Sequence, residues 1–187
     1  MKLNYWPYSW GLDVKACPCD VHFVEYLRER GIRDRLIFHF GSGEHHVLGR
    51  MNAEQGGPNE ILAVTASPRE HQAYVDFIID DPAAAKRYKV MFVDIYTLTP
   101  RMLPRFDLVT LFHLGEFHDA QKSSYAPLDD RSLLRLFLSR LSDDGRVFLY
   151  SGSFAAAKAR PIVEELVSRN EMVFEGEYKS LQIYRRP

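Results

Sequence analysis

Residues 35–49 constrain the fold of this chain more than any other stretch. Five bulky residues, Leu-Ile-Phe-His-Phe at positions 36–40, end abruptly at a Gly-Ser-Gly turn at positions 41–43. A short apolar run bounded by glycine is typical of a buried strand, and glycines directly after a strand let bare backbone approach a ligand. A helix that starts near Glu44 would add free N–H groups beside that turn. The stretch therefore predicts a strand–turn–helix pocket for a nucleotide-like ligand.

Apolar segments alternate with amphipathic ones along the rest of the chain. We expect strands at about 36–40, 61–65, 88–95, 106–113, 146–151, 172–177 and 181–185, and helices at about 21–30, 46–51, 68–79, 130–141 and 155–169. Asp20 is a predicted N-cap of the first helix, and Ser67, followed by proline, of the third. Residues 115–128 are predicted to form a charged loop. Continuously apolar strands between helices indicate a parallel sheet covered on both faces.

The fold class predicted from this alternation is α/β. We expect a Rossmann-like, doubly wound, mostly parallel sheet of seven strands, with helices on both faces. The last two strands are too close for a crossover helix and should be antiparallel, which gives an antiparallel C-terminal strand. The ligand is expected at the carboxyl ends of the first strands, near the topological switch point.

Length and charge limit the number of domains and the classes of partner that this chain can have. The 187 residues suit a single domain, 1–187, with an irregular N-terminal arm at 1–19. The 24 basic and 25 acidic residues balance, so neither a nucleic acid nor a membrane partner is expected. Cys17 and Cys19 flank one proline, where a disulfide would be strained, which favours a reduced, cytoplasmic protein. No residue pattern shows that the arm reaches the ligand site.

Five segments in order resemble the class I S-adenosylmethionine-dependent methyltransferases, over roughly residues 20–187. Residues 37–45 resemble the strand and glycine loop that wrap the methionine part of the cofactor. Residues 63–68 resemble the end of the second strand, which meets the ribose, and 90–95 the third strand, which holds adenine. Residues 105–113 resemble the fourth strand, which faces the substrate, and 141–145 the turn before strand five.

The resemblance implies S-adenosyl-L-methionine as cofactor and methyl transfer as activity. The residues it implies for cofactor binding are Gly41, Ser42, Gly43, Thr65, Ala66, Ser67, Asp94 and Ile95. The acceptor is expected to be a small molecule, since the chain has neither an inserted domain nor a basic groove. The reaction is an in-line displacement that depends on positioning. If the acceptor must lose a proton, His113, Glu116 and His118 are the candidate catalytic bases.

Three positions depart from the family's pattern. His39 replaces the usual acid of the first motif, His45 replaces its third glycine, and Thr65 replaces the acid that binds the ribose. A threonine hydroxyl makes one hydrogen bond where a carboxylate makes a charge-assisted pair. Three outcomes are then open: weakened cofactor binding, a substitute acid from elsewhere, for which Glu44 and Glu70 are the candidates, or loss of the activity. The alternative function is a methyltransferase-like binding protein without catalysis.

Five of the seven histidines fall on or just beyond the first and fourth strands. They are His39, His45, His46, His113 and His118. Such a cluster suits a transition metal or a general base, so a metal-binding protein is a further alternative. The opposing interpretation is a hydrogen-bonded core residue at position 39 and solvated loop histidines. We assign no metal ligand from the sequence. The aromatic residues of the arm, Trp6, Tyr8 and Trp10, either close over the cofactor or fill a surface groove.

Overall fold

The computed structural model describes residues 3–119 and 124–187. Its strands are β1 (Leu36–Phe40), β2 (Glu60–Thr65), β3 (Tyr88–Phe92), β4 (Phe106–Thr110), β5 (Leu141–Tyr150), β6 (Val173–Tyr178) and β7 (Leu181–Arg185). They form one sheet in the order β3-β2-β1-β4-β5-β7-β6. Strands β1 to β5 are parallel, and β7 is antiparallel to both β5 and β6. The predicted seven-stranded, mostly parallel sheet is confirmed.

Helices cover both faces of this sheet. They are α1 (Cys19–Glu29), α2 (Val47–Glu54), α3 (Pro68–Asp80), α4 (Asp130–Ser139) and α5 (Ala156–Ser168). Strand β1 alternates between two cores: Phe38 packs with α4 and α5, whereas Ile37 packs with α1, α2 and α3. The chain order reverses between β1 and β4, so their carboxyl ends flank the switch point at which α/β sheets bind ligands.

Several element boundaries differ from the predicted ones for local reasons. Strand β3 stops at Phe92 because Asp94 caps a 3₁₀ turn, Ile95–Thr97, by accepting a hydrogen bond from the amide of Tyr96. Strand β4 stops at Thr110, where the chain turns. Strand β5 begins earlier than predicted, since Leu141 already pairs with Phe106 ahead of a register shift.

The two predicted helix caps have opposite outcomes. Ser67 caps α3: its hydroxyl accepts a hydrogen bond from the amide of Glu70, and Pro68 is the first helical residue. Asp20 as a cap is wrong, because α1 begins at Cys19 after Pro18, with no side-chain cap. The Asp20 carboxylate is instead buried and directed to two histidines.

Residues 3–18 cross the carboxyl ends of the strands without forming a helix or a strand. The amide of Trp6 donates to the carbonyl of Ala66, and the amide of Glu44 donates to that of Trp10. The first two residues of the predicted arm, and 120–123 of the predicted charged loop, lie outside the described residues. In the part of the chain that is described, no helix has the length and apolar character to cross a bilayer.

Candidate cofactor and catalytic site

The Gly-Ser-Gly turn after β1 has a backbone that requires glycine. Gly41 and Gly43 have φ angles of +86° and +56°. A Cβ on Gly41 would lie 2.8 Å from Cδ2 of His113, and one on Gly43 would lie 2.9 Å from the carbonyl oxygen of Trp10. Between them, the Ser42 hydroxyl is buried and has no hydrogen-bond partner among the described residues. Because buried polar groups are nearly always paired, this hydroxyl indicates a site for a polar ligand.

A carboxylate lies beside Thr65 at the end of β2, although the sequence position itself lacks one. The Thr65 hydroxyl donates to Oε2 of Glu70 at 2.6 Å and accepts from the amide of Ser67 at 3.0 Å. Glu70 is buried in the first turn of α3, and that burial raises its pKa. Its other oxygen accepts the amide of Trp10 at 3.2 Å. Of the two acids considered from the sequence, Glu70 is therefore adjacent to Thr65, and Glu44 is exposed.

The predicted adenine-side residues follow β3. Asp94 is buried, and its Oδ2 accepts the Tyr125 hydroxyl at 2.6 Å. That hydroxyl in turn accepts the amide of Asn4 at 2.7 Å. Ile95 is buried in the core with α4 and α5. Both Asp94 oxygens thus bond to protein groups in this structure, one of them through a tyrosine that also holds the arm.

His113 and Glu116 form a close pair in the loop after β4. Nδ1 of His113 is 3.2 Å from Oε1 of Glu116, which also accepts the Ser153 hydroxyl at 2.6 Å. Burial opposes charge on both groups, but their mutual attraction prevails: the pKa of His113 is raised and that of Glu116 is lowered. The ring of His118 packs on Tyr96 instead, with 5.1 Å between centroids. The structure therefore brings together two of the three candidate bases.

The predicted histidine cluster divides into two groups. His39 and His45 face one carboxylate, with their Nε2 atoms 3.7 Å and 3.5 Å from the two oxygens of Asp20. Burial lowers the pKa of His39 to about 3 and that of His45 to about 4, and it raises the pKa of Asp20 to about 7. His46 points away, into the core beside Tyr88. The five histidines consequently do not form one metal-binding set.

Two residues at this edge were not expected from the sequence. The arm brings Cys17 and Cys19 to His113, with the two Sγ atoms 3.4 Å apart. Both cysteines are free thiols, and their hydrogen bond lowers the pKa of Cys17 and raises that of Cys19. The only indication in the sequence was the Cys-Pro-Cys spacing, which does not say where the arm lies.

Comparison with known proteins gives a fold match without a sequence match. No protein-family model matches this chain, and no curated protein matches it either. Ribosomal protein L11 methylase from Lactobacillus delbrueckii subsp. bulgaricus superposes with a TM-score of 0.61 and 16% identity, over 95% of this chain and 81% of that one. Magnesium protoporphyrin IX methyltransferase from Synechocystis, solved with bound SAM, superposes with a TM-score of 0.60 and 12% identity. The superposition covers 91% of this chain and 79% of that one.

A third solved structure belongs to the same class. An S-adenosylmethionine-dependent methyltransferase from Clostridium acetobutylicum gives a TM-score of 0.50 and 14% identity, over 74% of this chain and 50% of that one. The strand order and the antiparallel β7 agree with these matches. This chain has the fold of the class I S-adenosylmethionine-dependent methyltransferases.

Proposed function

We propose that this protein is an S-adenosylmethionine-dependent methyltransferase that acts on a small acceptor. The observation that carries the proposal is the turn at residues 41–43. Two left-handed glycines and the unpartnered hydroxyl of Ser42 lie there, at the carboxyl end of β1 in a methyltransferase fold. Such a turn suits a polar ligand held by backbone groups.

The residues around this turn fit the parts of the cofactor. The turn would hold the methionine end, where a Cβ has no room. Glu70, assisted by Thr65, would accept the ribose hydroxyls, because a carboxylate accepts two such bonds. Asp94 and Ile95 would lie on the adenine side. On binding, the ribose hydroxyls would replace the amide of Trp10 at Glu70.

The chain's own contribution to the chemistry is positioning and proton acceptance. When bound, the cofactor supplies an electrophilic methyl group, and most of the acceleration comes from aligning the acceptor with it. If the acceptor must lose a proton, His113 would take it at Nε2 while Glu116 stabilises the ring from the Nδ1 side. His118 remains a third candidate base in the same loop.

A small acceptor is favoured by the surface around the site. The arm lies over the carboxyl ends of the strands, bonded to residues 44, 66 and 67, and so takes up space that a large acceptor would need. The formal net charge of −1 offers no general attraction for a polyanion. By name, the matched solved proteins act on a ribosomal protein and on a porphyrin, so the fold accommodates both acceptor sizes.

Glu70→Gln tests the cofactor-binding part of this proposal. The variant replaces a charged acceptor of the ribose hydroxyls by a neutral one. A hydrogen bond to a charged group contributes roughly 1.5–3 kcal/mol to the binding free energy. We expect the Kd for S-adenosylhomocysteine, measured by calorimetry, to rise by about 10-fold or more. Glu60→Gln, at the exposed start of β2, is the control and should bind as the wild type does. Unchanged affinity in Glu70→Gln would remove Glu70 from the site.

Wild-type protein tests the proposal as a whole. At about 100 times its Kd, S-adenosylhomocysteine should raise the Tm by roughly 5–10 °C. If neither S-adenosylmethionine nor S-adenosylhomocysteine gives heat or a Tm shift, cofactor binding is excluded. The second candidate, a binding protein without catalysis, is favoured by the loss of the acid at Thr65. Methyl transfer from labelled cofactor to a pooled metabolite extract would exclude that candidate.

A further inference from the structure

Cys17, Cys19 and His113 converge on one point at the carboxyl edge of the sheet. The two Sγ atoms are 3.4 Å apart, and one ligand atom from each of the three residues lies within 4.8 Å of the others. Cys17 lies near the end of the arm, Cys19 is the first residue of α1, and His113 follows β4. The two cysteines are neighbours along the chain, whereas His113 is distant in sequence and reaches them through the tertiary fold.

We propose that these three residues bind a zinc-type divalent metal ion. Cysteine thiolates and histidine imidazole are the ligands that Zn²⁺ prefers. Two thiolates bound tetrahedrally at about 2.3 Å from one Zn²⁺ lie roughly 3.8 Å apart, which is close to the observed separation. Only a small adjustment of two side chains would then complete the site.

The ligands are held in place before any metal binds. A turn fixes Cys17, since its amide donates to the carbonyl of Asp13 at 2.8 Å and the Asp13 carboxylate accepts two further amides. Pro18 restricts the backbone between the two thiols. His113 packs against the bare backbone of Gly41. Its Nδ1 lies 3.2 Å from Oε1 of Glu116, and a carboxylate at one ring nitrogen fixes the orientation in which the other nitrogen can bind a metal ion.

Charge around the three ligands also favours a cation. Oδ1 of Asp20 is 4.0 Å from the Cys19 Sγ, and Oε1 of Glu116 is 3.2 Å from Nδ1 of His113. Within residues 3–119 and 124–187, neither carboxylate forms an ion pair with lysine or arginine. Water would be the fourth ligand, because the set of ligand atoms within 4.8 Å of one another comprises only the two thiols and His113 among the described residues. The site does not depend on the proposed methyl transfer.

A bound metal would have two consequences for the protein. It would tie the end of the arm to the loop after β4. It would also make His113 a ligand, which leaves Glu116 or His118 as the base. Both consequences follow from the position of the metal ion between the arm and the turn at residues 41–43.

Cobalt titration tests the site in the full-length protein, purified without a histidine tag and stripped of metal under reducing conditions. We expect one equivalent of Co²⁺ to bind with thiolate-to-metal charge-transfer absorption, and Zn²⁺ to displace it. Cys17→Ser and Cys19→Ser should lose that absorption. His113→Ala should keep it but weaken binding by about 10-fold or more. His71→Ala, a histidine that packs on Phe92 from α3, is the matched control and should not change binding.

A second measurement needs no variant and covers the case in which one fails to fold. Zn²⁺ should protect both thiols of the wild-type protein from alkylation, as shown by mass spectrometry of the labelled cysteines. The proposal is overturned if Co²⁺ and Zn²⁺ bind substoichiometrically, or if metal binds without protecting the thiols. It is also overturned if folded His113→Ala binds metal as tightly as His71→Ala.

Discussion

Gly41 shows how backbone conformation, more than side-chain chemistry, defines the candidate cofactor site. Its φ of +86° is in the left-handed region, which other residues adopt only with strain. A Cβ there would also lie 2.8 Å from the His113 ring. The same glycine therefore sets the turn and contacts His113, which links the proposed cofactor site to the proposed catalytic pair.

We expect Gly41→Ala to lower the free energy of unfolding by about 1–3 kcal/mol and to weaken S-adenosylhomocysteine binding by about 10-fold. The matched control is Gly56→Ala, because Gly56 has a φ of +80° but open space around its Cβ position. The control should lose stability without losing affinity. Denaturant unfolding and calorimetry measure the two quantities. Equal affinity of the two variants would contradict the role of the turn.

His46 is a second residue whose properties come from its surroundings. Its Nδ1 accepts the Tyr88 hydroxyl and its Nε2 donates to the carbonyl of Glu70, each at 3.0 Å. Burial lowers its pKa from 6.5 to about 4. The backbone at this position is also left-handed, with a φ of +46°. A neutral, buried imidazole thus joins α2, α3 and β3.

The lowered pKa of His46 predicts loss of stability in acid. Its contribution is fully present above pH 6.5 and is lost as the pH falls towards 4, by roughly 3 kcal/mol in total. His46→Asn removes the titrating group, and asparagine tolerates the left-handed backbone. We expect the variant to be less stable at pH 7, with a difference from the wild type that shrinks towards pH 4. Denaturant unfolding across this range checks it, and a difference that does not vary with pH would refute it.

Local patterns predicted some of these residues and could not predict others. The Gly-Ser-Gly turn was identifiable because a strand and a turn are encoded by adjacent residues. The position of Asp20 was not, since its preference for a helix start conflicts with its contacts to the buried His39 and the partly buried His45. The meeting of Cys17 with His113 depends on the path of an arm that has no hydrophobic periodicity to define it.

At the scale of elements, the start of α3 connects the sheet to the arm. Ser67 caps the helix by accepting from the amide of Glu70, and its hydroxyl donates to the carbonyl of Tyr8. The cap was predictable from the Ser-Pro pair, because a helix start is a local signal. The bond to the arm was not, because Tyr8 lies far away in sequence. One side chain therefore serves both the helix and the arm.

Ser67→Ala separates these two functions. Loss of the cap should lower the free energy of unfolding by about 1 kcal/mol. The variant should also loosen the arm and increase protease cleavage within residues 3–18. Asp129→Ala, which removes the cap of α4 at a distance from the arm, is the control: it should lose similar stability with no change in arm cleavage. Identical cleavage of the two variants would show that Ser67 does not hold the arm.

At the scale of the whole molecule, the sheet can be predicted from sequence patterns, whereas the path of the arm cannot. The seven-stranded, mostly parallel sheet follows from alternating strands and helices, whose periodicity can be read from the sequence, and it agrees with the predicted fold. The arm is held by single hydrogen bonds to segments that are separate in sequence, among them residues 66–67, Glu44, Glu70 and Tyr125. Bonds of this kind leave no pattern in the sequence. The part that covers the site is consequently the part that the sequence least determines.

This arrangement predicts that cofactor binding can be followed by tryptophan fluorescence. The chain has two tryptophans, and both lie in the arm: Trp6 packs on Phe117 and Trp10 on Phe154. They are 43% and 42% exposed, so their emission should respond to movement of the arm. Because the Trp10 amide donates to Glu70, a ribose bound at that carboxylate would compete with this hydrogen bond. S-adenosylhomocysteine should therefore change the emission of the wild-type protein, and Trp10→Phe should remove more of that change than Trp6→Phe. Binding detected by calorimetry with unaltered emission would mean that the cofactor enters without moving the arm.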